Sequence, residues 1–350
     1  MFVLGIDTSC DDTSAAVVVD GHQTLSSVVH SQINIHHPYG GVVPELASRE
    51  HLRNLVPVAE KALSGAGIRP EDLHGIAVTV GPGLIGSLLI GLYYGKALSY
   101  VHNIPLVAVN HLEGHILSIF LEDEIPDFPF LTLTVAGGHT SIVHVRGFGN
   151  YELLGQTLDD AAGEAFDKIA KILGLGYPGG VVIERLSQSG RKDRIGFPRA
   201  LLSPDSLDFS FSGLKTAVAL FVKKWRQEKN PPVKLEDIAA SFQEAVVDVL
   251  VQKLMRAREK TGVNTLVIAG GVACNKALRE KLRETAERNG FKFYYPRPSY
   301  CTDNGAMIAL AGYHRMLDGQ VADLSVDVRS RFPLKDLRPL SHRAKGPGPS

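Results

Sequence analysis

Cysteine is scarce in this 350-residue chain: Cys10, Cys274 and Cys301 are far apart in sequence and odd in number. That argues against a disulfide framework and a thiolate zinc cluster, and it fits a reducing, cytoplasmic setting. An excess of either charge is also missing, since 37 Lys plus Arg balance 37 Asp plus Glu. No global positive field announces a nucleic-acid partner, which leaves only a local patch for that role. No apolar run reaches membrane-spanning length, and no basic leader precedes the acidic residues of MFVLGIDTSCDD, so neither anchoring nor export is expected. What is present is a 44% hydrophobic, 21% charged composition, in a length sufficient for two ordinary domains.

Periodicity points to α/β architecture used twice. The stretch FVLGIDTSCDDTSAAVVVD reads as strand, small polar turn and strand, and FLTLTVAGGHTSIVHVR at 130–146 repeats that plan. Two similar hairpins imply two similar domains. Between them lie an amphipathic helix closed by glycine (HLRNLVPVAEKALSGAG), a buried strand (GIAVTVGPG) and a second helix (LIGSLLIGLYYGKALSYV). After them come a helix entering a glycine-rich loop (DDAAGEAFDKIAKILGLGYPGG), a long helix over 234–261, a strand (NTLVIAGGVACN) and a glycine-capped helix (NKALREKLRETAERNG). The closing PLKDLRPLSHRAKGPGPS has no apolar periodicity and reads as a disordered tail.

Three turns, GPGLIGS at 81–87, AGGHTS at 136–141 and AGGVACN at 269–275, each follow a buried strand. Open α/β sheets gather ligands at strand ends, so the repetition favours a nucleotide-type site. None is the dinucleotide fingerprint or the phosphate-binding Lys-Ser/Thr loop, which argues against NAD and P-loop chemistry.

The stretch NHLEGHILSIF at 110–120 carries two histidines four apart. On a helix His111 and His115 lie about 40° apart and can grip one metal ion, whereas Glu113 lies about 200° round from His111. A zinc protease needs its glutamate directly after the first histidine, so the general base of that chemistry is absent. In CTDNGAMIALAG, Asp303 has two readings: a helix cap, or the carboxylate completing a His-His-Asp set suited to zinc or ferrous iron. His36, His37 and His51, in HHPYGGVVPELASREH, read as polar site or interface residues. Lys215, Lys223, Lys224, Arg226 and Arg297, with Trp225 and Tyr300 nearby, offer nucleic-acid contacts that a solvated helix face explains equally well.

DTSCDDTS, HHPYGGVVPELASREH, NHLEGH, AGGHT, the YPGG loop, FSFSGLKTA, AGGVACN and CTDNGAMIA together resemble the TsaD family of bacterial tRNA threonylcarbamoyladenosine transferases, from about residue 3 to about 335. The family often begins Glu-Thr-Ser-Cys-Asp-Glu; here Asp7 and Asp12 stand at its two glutamates and keep both carboxylates. The resemblance implies an actin, sugar kinase and Hsp70-like duplicated fold with an inter-domain cleft. Its expected limits are 1–115 with a return over 313–335, 116–312, and a tail over 336–350.

It also implies transfer of a threonylcarbamoyl group from threonylcarbamoyl-AMP to N6 of adenosine 37 in tRNAs reading ANN codons, forming t6A. By the same resemblance His111, His115 and Asp303 match ligands of one divalent metal, Fe2+ or alternatively Zn2+. Thr134, Val135, Ala136, Gly137, Gly138, Asp167, Gly180, Glu184 and Asn275 match positions that bind the adenylate. Asp11, Asp12 and His139 are candidates for moving the N6 proton. Implied partners are tRNA, a TsaB-like paralogue, a TsaE-like ATPase and a TsaC-type enzyme supplying the adenylate. Three rivals stand beside this reading: an endopeptidase lacks its base, a carbohydrate kinase leaves the histidines without a role, and an inactive scaffold has no reason to keep the ligand set.

Overall fold

The computed structural model describes residues 1–200, 203 and 205–341. The first half runs β1 (Phe2–Asp7), β2 (Asp12–Val19), β3 (Gln23–Ser31), α1 (Ile33–His36), α2 (Pro44–Ala66), β4 (Gly75–Gly81), α3 (Ile85–His102), β5 (Leu106–Asn110) and α4 (His111–Leu117). The second runs β6 (Phe130–Val135), β7 (Thr140–Gly147), β8 (Asn150–Gln156), α5 (Ala162–Leu173), α6 (Gly179–Ser187), α7 (Ser212–Trp225), α8 (Leu235–Thr261), β9 (Thr265–Ala269), α9 (Lys276–Asn289), β10 (Lys292–Tyr294), α10 (Pro298–Cys301) and α11 (Gly305–Leu317).

Each half builds one five-stranded sheet, and the two share a topology: β3-β2-β1-β4-β5 in the first, β8-β7-β6-β9-β10 in the second. In each, three strands form an antiparallel meander and the last two add in parallel. This is the duplicated actin, sugar kinase and Hsp70-like plan. The parallel members β4 and β9 and the central β1 and β6 are buried nearly throughout, which explains sequences made of apolar residues, glycine and threonine with a charge only at Asp7.

The expected hairpins are in fact three-stranded meanders. Edge strands β3 and β8 are largely exposed and carry no clean alternation, so they resist recognition from pattern alone. Helix α2 starts at Pro44, two turns before the expected start, with proline in its first turn and Gly67 in the left-handed conformation closing it.

An apolar layer joins the halves. Val3, Val18 and Val107 of the first sheet and Phe130, Val143 and Val267 of the second enclose α4 and α11 between them. Helix α11 lies flush on β1: a Cβ on Gly5 would come 2.0 Å from the Gly305 carbonyl oxygen. The expected limits at 115 and 312 therefore fall inside α4 and α11, two helices that pack as wholes in this layer. The expected tail is also shorter. Leu337 and Leu340 pack on the same layer, and the Ser341 amide donates to the Asp318 carboxylate at 2.7 Å. The remainder of that expectation, 342–350, lies outside the described residues. Among the described residues no helix is long and apolar enough to cross a membrane.

Candidate metal and substrate site

Strand β5 runs directly into α4. The Asn110 Oδ1 accepts from the backbone amides of Leu112 at 2.8 Å and Glu113 at 3.3 Å, capping the helix and making His111 its first residue. His115 follows one turn on, with ring centroids 4.6 Å apart and planes at 85°. Asp303 arrives from the loop before α11. It is not the cap: the Asn304 Oδ1 accepts the Met307 amide at 2.9 Å, which frees Asp303 to face the histidines. The Asp303 Oδ1 lies 3.1 Å from His115 Nε2 and 3.5 Å from His111 Nε2. All three donor atoms lie within 4.8 Å of one another, so a chain separation of 188 residues closes into one potential metal-binding group.

The surroundings suit a cation. His111 Nδ1 faces the Asp7 carboxylate at 3.2 Å and the Ser9 hydroxyl at 3.1 Å, the second contact that commonly orients a metal-binding imidazole. Burial alone would lower the His111 pKa, but Asp7 and Asp303 outweigh it and push it up to about 9. Burial would likewise raise Asp303, yet the histidines hold it well below the carboxylate range. The proton sits on the His111 ring, flanked by the carboxylates of Asp7 and Asp303, and two imidazole nitrogens with one carboxylate oxygen form a donor set that fits zinc or ferrous iron. His139 is pushed down to about 4 by burial and by His111 and His115 beside it, so its ring is neutral at pH 7.

A cavity of about 310 Å³ adjoins this group. Asp303, Asp11 and Asp12 line one side; Ala136, Gly137, Asp167, Gly180, Glu184 and Asn275 line the other. Thr134 and Val135 are buried within β6, Gly138 sits in the exposed turn after it, and His139 precedes β7. The turn approaches α5 closely: a Cβ on Gly163 would meet the Ala136 carbonyl oxygen at 2.7 Å and Gly137 Cα at 2.8 Å.

The side chains of the far wall are held by backbone amides. Asp167 accepts from Gly179 at 2.6 Å, Glu184 from Lys276 at 2.7 Å, and Asn275 from Leu278 at 3.0 Å while donating to Gln243 at 2.8 Å. Burial pushes Asp167 up to about 6 against the bond from Gly179, and Asp11 adds to the rise. Burial, followed by Asp303, pushes Asp12 up to about 7, and one Asp12 oxygen has no hydrogen-bond partner.

Other expectations resolve differently. His36 and His51 are fully buried and internally satisfied: His36 Nε2 meets Gln32 Oε1 at 3.2 Å, and His51 bridges the Thr13 hydroxyl at 2.7 Å and the Cys10 carbonyl at 2.9 Å. They organise the first half and are not among the residues lining the cavity beside Asp303, while the His37 ring lies against Gly176. Lys215 pairs with Asp160, Arg297 with Glu122, and Arg226 donates to the Ile172 carbonyl, leaving Lys223 and Lys224 exposed on α7. The Trp225 indole donates to Val233, and Tyr300 lies under Arg297, so neither aromatic ring is set aside for a base. Sequence reasoning missed Cys274, which lines the cavity with its thiol held below the ordinary value by a hydrogen bond with Cys301. It also missed Tyr177 at the cleft and the ion pair between Glu113 and Arg315.

Comparison with known proteins bears on the fold and the family. A solved structure of HypF from T. kodakarensis superposes with a TM-score of 0.60 at 14% identity, covering 91% of this chain and 48% of that one. Component A of the (R)-2-hydroxyglutaryl-CoA dehydratase of Acidaminococcus fermentans gives 0.55 at 17% identity, covering 91% and 99%. At such identities the likeness speaks for the fold. Sequence relatives are nearer: the tRNA N6-adenosine threonylcarbamoyltransferase of Syntrophus aciditrophicus (strain SB) is 52% identical over 337 residues, 95% of this chain and 98% of its own. That of Desulfitobacterium hafniense (strain Y51) is 55% identical over 320 residues, 91% and 94%. With the family model described as TsaD, tRNA N6-adenosine threonylcarbamoyltransferase, matching residues 23–310, the chain belongs to that family of transferases.

Proposed function

We propose that this enzyme moves the threonylcarbamoyl group of threonylcarbamoyl-AMP to N6 of adenosine 37 in tRNAs reading ANN codons, producing t6A and AMP. The observation that carries the reading is the double placement of Asp303, which faces both histidines and also lines the cavity. A reacting group in that cavity is thus adjacent to the candidate metal ligands. His111, His115 and Asp303 would hold an Fe2+ or Zn2+ ion, which would supply Lewis-acid polarisation of an acyl carbonyl.

The remaining roles belong to the chain. The turn Ala136–Gly137–Gly138 offers close backbone approach to the adenylate, with Thr134 and Val135 fixing its position at the strand end. Asp167, Gly180, Glu184 and Asn275 bind the nucleotide's polar groups across the cleft. The N6 amine attacks the carbamoyl carbon, the bond from that carbon to the phosphate oxygen breaks, and AMP leaves with the electron pair. Asp12 receives the N6 proton, because it lines the cavity and burial, followed by Asp303, pushes its carboxylate up to about 7, where it can both take and release a proton. Asp11, engaged by Tyr177, closes the site, and neutral His139 hydrogen-bonds the acyl group. Glu113 activates no water, since both its oxygens are occupied elsewhere.

The enzyme works in the cytoplasm with a TsaB-like paralogue, a TsaE-like ATPase and a TsaC-type supplier of the adenylate. Lys223 and Lys224 are exposed cations available to tRNA phosphate. The test is t6A formation on unmodified tRNA with supplied adenylate and these partners. Wild type modifies A37 and Asp303→Ala does not; equal product from both would overturn the reading.

A further inference from the structure

Glu113 occupies the position between the two histidines, yet it faces away from them. It is 1% exposed, and its carboxylate is clamped by Arg315 of α11: Nε donates to Oε2 at 2.6 Å and Nη2 to Oε1 at 2.8 Å. The Tyr151 hydroxyl, from edge strand β8 of the second sheet, donates to Oε1 at 2.9 Å. Arg315, 3% exposed, spends its remaining nitrogen on the Gln320 side chain at 2.7 Å. Both charges are thus buried, and the carboxylate is met in bidentate form.

The placement of this pair matters more than its strength. His111 and His115 come from α4, while Asp303 comes from the loop immediately before α11, so their mutual distances are set by how α4 lies on α11. Contact at Gly114 brings the helices together: a Cβ there would meet Ile308 at 2.9 Å and Met307 at 3.1 Å. Apolar contact of that kind permits rotation and sliding, which a bidentate ion pair with a third anchor does not. A buried ion pair adds little net stability compared with apolar residues of the same volume, so its retention here is better explained by specificity of arrangement.

We infer that Glu113, Arg315 and Tyr151 are positioning residues that fix α4 on α11 and thereby hold His111, His115 and Asp303 at metal-binding spacing. The inference rests on the proposed metal role of those three residues.

The experiment measures Zn2+ affinity of the purified full chain by competition with a chromophoric chelator, alongside thermal unfolding. Glu113→Leu combined with Arg315→Met removes both charges together and leaves neither one stranded. Its expected outcome is a folded protein whose Zn2+ affinity falls 10- to 100-fold, the range typical of groups that orient metal ligands. Tyr151→Phe, which removes a single hydroxyl, folds and weakens affinity several-fold. Wild-type affinity in the folded double variant overturns the inference, as does wild-type affinity in Tyr151→Phe if the double variant fails to fold. His115→Ala separates the two ideas: if it binds Zn2+ like wild type, the metal reading itself fails, whatever the other variants do.

Discussion

The Tyr177 hydroxyl, carried by the loop before α6 in the second half, donates to the Asp11 carboxylate of the first half at 3.2 Å across the cleft. Burial and the acidic groups Asp11 and Asp167 push the phenol pKa well above its ordinary value, so the hydroxyl keeps its proton and stays a donor. A hydrogen bond to a charged acceptor contributes about 1.5–3 kcal/mol. Tyr177→Phe is expected to lower the Tm by a few degrees and to raise KM for the adenylate roughly 10-fold; thermal unfolding and steady-state t6A kinetics check this, and an unchanged KM would remove the bond from substrate binding.

Gly163→Ala is expected to be costly. The new methyl would collide with backbone atoms of the Ala136–Gly137 turn, which cannot rotate aside as a side chain can. Overpacking of this kind costs about 1–3 kcal/mol, and here it also displaces the turn assigned to the adenylate. Thermal unfolding should show a loss of several degrees. Gly180→Ala provides the contrast, because a Cβ there meets nothing within 4 Å and stability should be unchanged.

Two pH dependences of opposite sign are expected from Asp12. As proton acceptor it must be ionised, so kcat/KM should rise with pH and level off at or below about 7, because a cation at Asp303 cancels part of the charge that raises Asp12, and Asp12→Asn should remove that limb. Stability moves the other way in metal-free protein. The folded pKa lies above the unfolded one, so the folded state binds more protons between about 3.8 and 7 and loses stability as pH rises through that window. Urea unfolding at several pH values checks the sign, and Asp12→Asn should be less sensitive there than wild type.

Metal removal should destabilise wild type and leave His115→Ala unaffected. A ligand present at 100 times its Kd stabilises the folded state by about 2.7 kcal/mol. A chelator should therefore lower the wild-type Tm by several degrees, with recovery on adding Zn2+ or Fe2+. An equal response from His115→Ala would place the bound ion elsewhere.

The elements legible in sequence were those whose burial imposes a pattern. β1, β4, β6 and β9 announce themselves by short runs rich in apolar and β-branched residues, and the helical angle already separated Glu113 from the histidines. The structure completes that separation by giving Glu113 an arginine and a tyrosine. Edge strands β3 and β8 were illegible because exposure relaxes the pattern. Local spacing could suggest His111 with His115, but Asp303 enters from 188 residues away, and only the folded chain shows that Asn304 takes the cap while Asp303 faces the histidines. His36 and His51 show the converse: an unusual polar stretch can be interior scaffolding, its rings consumed by hydroxyl, amide and carbonyl partners.

The apolar layer around α4 and α11 governs what motion the cleft permits. Its members come from both sheets, so swinging the halves apart would bring Phe130, Val107, Met307 and their neighbours into water. At about 25 cal/mol for each Å² of apolar surface exposed, a wide hinge opening would be expensive. The latch at the entrance, by contrast, is a single hydrogen bond from Tyr177. Opening is thus confined to local adjustment at the mouth of the cleft, where that hydrogen bond can break while the packed layer stays closed.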